Sequence, residues 1–208
     1  GAIADIFAGS DMIGMLRLGL LSAVFAMLTA CSSMPSPPRN ALNLCSVFAE
    51  KTEWRKPTLR TEKRWSIPVS VLMATMFHES SYRADARPPR RYFLGFIPGP
   101  RPSTAYGYAQ ALDGTWDEYV SRNSRWFANR DEFDDAIDFI GWYHNLSTRE
   151  IGIRADDAVN LYLAYHEGRT GFAGNSYLAK PWLVRYAERV GETELSYRSQ
   201  LAGCPLAK

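Results

Sequence analysis

Three cysteines, three histidines and no long unbroken apolar run are what this 208-residue chain has least of. Each shortage removes a class of function. Zinc would need the few imidazoles and thiols clustered, yet His78-Glu79 and His166-Glu167 both lack a second histidine one helical turn on, and the cysteines are not spaced as ligands. No metal site and no cofactor is therefore expected. A nucleophilic triad has no support either, because no Gly-x-Ser-x-Gly elbow occurs. Residues 31–208 carry 23 basic against 20 acidic side chains, too mild a balance for nucleic acid, and no basic stripe is interleaved with aromatics. The longest apolar stretch, Leu18 to Ala30, is broken by Gly19, Ser22 and Thr29 and is too short to span a bilayer as a stable helix. There is no internal repeat.

Leu18 to Ala30 does have the length of a signal-peptide core. It ends in Leu28-Thr29-Ala30-Cys31, which resembles the lipobox of bacterial lipoproteins. That resemblance implies that residues 1–30 are removed and that Cys31 is acylated. With Ser32 following, it also implies a place on the outer membrane of a Gram-negative bacterium. A buried N-terminal helix with an incidental cysteine is the alternative. The acids Asp5 and Asp11 are wrong for a signal peptide, so Gly1 to Asp11 reads as an extension ahead of a start at Met12 or Met15. Residues 31–40, with prolines at 35, 37 and 38, read as a lipidated tether, and 41–208 as one folded domain. If lipid uses Cys31, then Cys45 and Cys204 remain, one near each end of that domain. In an oxidising compartment the pair reads as a disulfide tying the C-terminal tail to the first helix. Two separate buried thiols are the alternative, since sequence does not give their separation.

The domain reads as mainly α. Asn40 is expected to cap a helix from Ala41 to about Trp54, and Pro57 to open another that ends near Trp65. Val69 to Ser80 reads as a helix with Leu72, Met76 and Glu79 on one face. Further helices are expected over Tyr106–Val120, Asp131–Asn145, Asp156–His166 with an end at Gly168, and Pro181–Val190. Between the third and fourth lies Arg87–Thr104, with five prolines, four arginines and the aromatics Tyr92, Phe93 and Phe96. Its short apolar pieces either pair as a small β-hairpin flanking a cleft or merely cover hydrophobic surface.

Glu79 stands out chemically. A carboxyl group at the end of an apolar helix has its ionised form disfavoured by desolvation and by the negative end of the helix dipole. Glycosidic bond cleavage needs such a proton-bearing acid for the leaving oxygen. Three segments then fall in order: Glu79-Ser80 after the apolar run; Gly107 and Gln110, followed by Gly114-Thr115; and Ala164-Tyr165-His166-Glu167-Gly168. In this order and spacing, from about Lys63 to Arg189, the chain resembles the soluble lytic transglycosylases, relatives of goose-type lysozyme. The resemblance implies a lysozyme-like fold and a peptidoglycan glycan strand as substrate. It implies Glu79 as general acid and then base, releasing a 1,6-anhydro product. It places Ser80 near the departing sugar, Gln110 on the substrate, Gly107 where backbone approaches it, and the Tyr165 hydroxyl toward Glu79. His166 stands where the family usually has asparagine, which leaves a supporting role through one hydrogen bond. Glu167 or Asp113, if set across the cleft, would instead activate water and make the enzyme a hydrolytic muramidase. A noncatalytic wall-binding lipoprotein is the reading from another class.

Overall fold

The computed structural model describes residues 34–90, 92–94, 96–204 and 206. All but the first of these lie in one compact unit, Pro35–Lys208. The expected signal segment and Cys31 lie outside the described residues. Within the unit the expectation of a mainly α, lysozyme-like domain holds. Its elements are α1 (Leu44–Glu50), a 3-10 turn (Thr52–Trp54), α2 (Arg55–Trp65), α3 (Val69–Ser80), β1 (Tyr92–Phe93), β2 (Ile97–Pro98), α4 (Asp113–Asn123), α5 (Phe133–Ile151), α6 (Ala158–Ala173), a second 3-10 turn (Ser176–Ala179) and α7 (Pro181–Gly203). Among the described residues no helix is long and apolar enough to cross a membrane.

Helix α3 is the axle. It packs against α2, α5, α6 and α7. Val69 to Met76 are buried without a break, so the helix is enclosed on every side rather than along the single stripe that Leu72 and Met76 suggested. It stops because Ser81 and Tyr82 both turn left-handed, with φ of 52° and 61°. Tyr82 then folds back into the core, its hydroxyl donating to the Met73 carbonyl at 3.1 Å. The hydroxyl of Tyr197, on α7, reaches the Ala41 carbonyl at 2.6 Å. Close by, the Cys45–Cys204 disulfide joins α1 to the end of α7, with 6.0 Å between the Cα atoms, as the sequence reading expected.

Several boundaries differ from the sequence reading, each for a local reason. The cap of α1 is Asn43, whose side chain accepts from the Ser46 amide at 2.9 Å, while Asn40 lies in the turn before it. Pro57 sits inside the first turn of α2, where its missing N–H costs nothing. The expected Tyr106–Val120 helix begins only at Asp113, because Gly107 and Gln110 have φ of 78° and 48°. Residues 106–111 instead close a turn with a Tyr106–Ala111 bridge. Helix α6 does break at Gly168 (φ 74°, ψ 155°) but resumes beyond it to Ala173. Helix α7 continues past Val190, since Gly191, Glu194 and Tyr197 keep one face buried although two of them are not apolar. The hairpin forms, with Tyr92 opposite Pro98 and Phe93 opposite Ile97.

Candidate active site

Glu79 occupies the last full turn of α3, half-buried. Burial raises its carboxyl from the usual 4.5 to about 7, and a hydrogen bond from the Tyr162 hydroxyl pulls the other way. Three phenols gather around this charge. The hydroxyls of Tyr162, Tyr165 and Tyr186 are all pushed up, by burial first and by the nearby Glu79 next. The rings of Tyr162 and Tyr186 stack at 5.5 Å. Tyr186 donates to the carbonyl of His78 at 2.8 Å, fixing the turn that carries Glu79. His78 turns the other way, toward the Thr193 hydroxyl at 2.8 Å, and burial lowers its imidazole to about 4.

The expected partner of Glu79 was Tyr165, and here the structure corrects the reading. The Tyr165 hydroxyl donates to the Ala109 carbonyl at 2.6 Å, tying α6 to the 106–111 turn. Tyr162 supplies the phenol instead. It lies one helical turn earlier on the same face of α6, a spacing that would have found it.

Gln110, Tyr165 and His166 do come together, lining a cleft of about 240 Å³ with Thr115, Phe139 and Glu167. Glu79 is not part of that wall; the link from acid to cleft runs through Tyr165, whose hydroxyl feels the Glu79 charge. A neighbouring cavity of about 470 Å³ shares Thr115, Tyr143, Glu167 and Gly168 with the cleft and extends it past Arg169 and Glu150. The Gln110 amide nitrogen donates to the Ala86 and Gly107 carbonyls at 2.9 and 2.8 Å. Since both partners are acceptors, the amide orientation is fixed, and the Gln110 oxygen is the group left for a ligand.

Two further expectations are revised. Ser80 is only 6% exposed and donates to the Met76 carbonyl at 3.2 Å, so its proton is engaged within its own helix. Gly107 is buried, and a Cβ there would lie 2.0 Å from the Arg130 carbonyl oxygen. The close backbone approach that requires glycine is thus to Arg130, and it seats the turn bearing Gln110.

His166 is exposed at the cleft, 3.1 Å from a Glu167 carboxylate oxygen and edge-on to Trp182 at 5.4 Å. The two carboxylates considered for water activation are held elsewhere. Glu167 meets Lys180 at 2.7 Å, Ser176 and His166, and its carboxyl is lowered to about 2, chiefly by the Lys180 bond. Asp113 pairs with Arg130 at 2.7 Å. The sequence reading missed Tyr162, Tyr186, Lys180 and Trp182.

The family model described as a transglycosylase SLT domain matches residues 19–204 of the chain. Neither among curated proteins nor among solved structures does anything match.

Proposed function

Because the chain belongs to the transglycosylase SLT domain family, we propose that it cleaves the β-1,4 bond between N-acetylmuramic acid and N-acetylglucosamine, with Glu79 as the acid and base. The family as a whole implies lytic transglycosylase activity on peptidoglycan. The observation that carries the finer reading is the gathering of the Tyr162, Tyr165 and Tyr186 phenols near Glu79, whose carboxyl burial raises to about 7, with Tyr165 also lining the cleft that holds Gln110.

At neutral pH such a group is protonated in a large share of molecules. It gives its proton to the glycosidic oxygen as the C1–O bond breaks, and the resulting carboxylate is stabilised by the Tyr162 hydroxyl. The same carboxylate then takes the proton of the sugar's own C6 hydroxyl, whose oxygen closes on C1 to give the 1,6-anhydro ring. No water is consumed. The engagement of Glu167 with Lys180 and of Asp113 with Arg130 supports this route over hydrolysis, because an inverting step would need a second carboxylate free to activate water. Gln110 accepts a hydrogen bond from the strand through its oxygen, and His166 donates or accepts one at the rim.

We propose further that Cys31 carries lipid and holds the domain on the periplasmic side of an outer membrane, residues 31–40 serving as tether. Incubating purified sacculi with wild-type protein should release soluble fragments, and Glu79→Gln should release none while still binding the sacculi. Release by the Glu79→Gln protein at the wild-type rate would remove Glu79 from the mechanism. A wild type that binds without cutting would make the protein a wall-binding scaffold.

A further inference from the structure

Between Asp85 and Asp113 the chain holds four arginines, Arg87, Arg90, Arg91 and Arg101, and no acidic residue. At the centre of this basic stretch stands the β1–β2 hairpin, which displays its apolar side chains to solvent: Tyr92 is 59% exposed, Leu94 82%, Phe96 72% and Ile97 45%. Exposed leucines scattered singly need no explanation, but four large apolar groups within six positions do. More of the surface of Tyr92, Leu94 and Phe96 faces solvent than faces the domain.

The hairpin is held at its base. The Ala86 carbonyl accepts from the Gly107 amide at 3.0 Å and from Gln110 at 2.9 Å. The Arg87 guanidinium lies over the Tyr106 ring at 4.0 Å, and Arg101 donates to the Pro88 carbonyl. Five prolines between 88 and 102 restrict the backbone further. The apolar tip is therefore presented by a stiffened base.

A sugar strand calls for flat aromatic faces with polar groups beside them, and Leu94 and Ile97 offer neither. The boundary between acyl chains and headgroups accepts leucine, isoleucine, phenylalanine and tyrosine alike, and arginines set just behind them meet lipid phosphates. We infer that this hairpin is a membrane-contacting element: Leu94 and Phe96 enter the interfacial layer of a bilayer containing anionic lipid, while the exposed Arg90 engages its headgroups. The inference is independent of the catalytic reading. Its consequence for the enzyme is orientation, because the hairpin base is bonded to Gln110 and a docked hairpin sets the cleft against the bilayer face.

The test uses the full chain carrying Cys31→Ser and Leu94→Cys, with an environment-sensitive fluorophore on residue 94 and the Cys45–Cys204 disulfide intact. A second protein carries the label through Leu195→Cys, an exposed position on α7. On phosphatidylcholine vesicles containing phosphatidylglycerol, the label at 94 should shift to the blue and lose access to an aqueous quencher, while the label at 195 stays in water. Vesicles of phosphatidylcholine alone should require more lipid for the same shift. Arg90→Gln should weaken the response by about fivefold. Leu94 is exposed, so the labelled protein should keep the wild-type unfolding midpoint, which confirms that a negative result speaks to the hairpin. A label at 94 that stays wet on both vesicles, equal shielding at 94 and 195, or shielding only by added glycan strands would each overturn the inference.

Discussion

Replacing Glu79 by glutamine should stabilise the protein, by an amount that grows as pH rises from about 4.5 to about 7 and is constant above that. Burial lifts the carboxyl from 4.5 to about 7, so ionising it is harder in the fold than in the unfolded chain. At about 1.4 kcal/mol for each tenfold change in proton affinity, the ionised form costs roughly 3 kcal/mol. The sign follows from the raised value. Below pH 4.5 both states keep the carboxyl protonated and the fold is not penalised. Stability is lost progressively from pH 4.5 upward, and the loss is complete above about 7. Glutamine has no charge to desolvate and can still accept from Tyr162. Urea unfolding of both proteins from pH 4 to 9 should give a stability difference near zero at the acid end. At pH 8 glutamine should be favoured by roughly 3 kcal/mol, a midpoint shift on the order of 1–2 M. His78 and His144, lowered to about 4 and about 3 by burial, also make stability depend on pH, but they are common to both proteins and cancel in the difference. A difference that does not change with pH, or a wild type that gains on the variant as pH rises, would mean that Glu79 is held ionised and would refute the reasoning.

Tyr162→Phe removes the hydroxyl that favours the carboxylate, so the alkaline limb of kcat/KM should move to higher pH, read from fragment release between pH 5 and 9. Tyr165→Phe should leave that limb in place and instead destabilise by about 1–2 kcal/mol in urea unfolding, because the Ala109 carbonyl loses its donor. Gly107→Ala should cost at least about 2 kcal/mol in the same assay, since the new methyl meets the Arg130 backbone at a positive φ. Cys45→Ser should lower stability by roughly 2–5 kcal/mol, the range expected for a bridge closing so long a loop, and reducing agent should no longer shift its unfolding midpoint.

How much of this was legible in the sequence follows the range of the forces involved. Val69–Ser80 was read to the residue because Pro68 marks its start and an apolar run fills it, signals that are local. The disulfide partners were read by arithmetic once one of three cysteines was set aside for lipid. The place of Glu79 in the last turn of α3 was legible because the apolar run from Ile67 to Phe77 leads directly to it. The errors came where long-range contacts override a local pattern. Ala109 and Leu112 have helical spacing, yet residues 106–111 follow the demands of Arg130 and Ala86, whose atoms dictate the positive φ at Gly107 and Gln110. Ser80 follows glutamate in the motif, but its hydroxyl faces Met76 because α3 is enclosed on every side. Tyr162 and Tyr165 share a helical face, and choosing between them needed the position of α3 against α6. Lys180 and Trp182 approach the cleft only because a 3-10 turn swings the start of α7 back toward Glu167, which no periodicity announces.

The central claim is that Glu79 works both ends of one reaction and that water takes no part. Digesting sacculi in water enriched in heavy oxygen and weighing the released fragments tests it most directly. The account predicts products lighter than the hydrolytic ones by one water, carrying no heavy oxygen, and absent with Glu79→Gln. Fragments with a free reducing end that has taken up heavy oxygen would show that a water molecule attacks, and would contradict it.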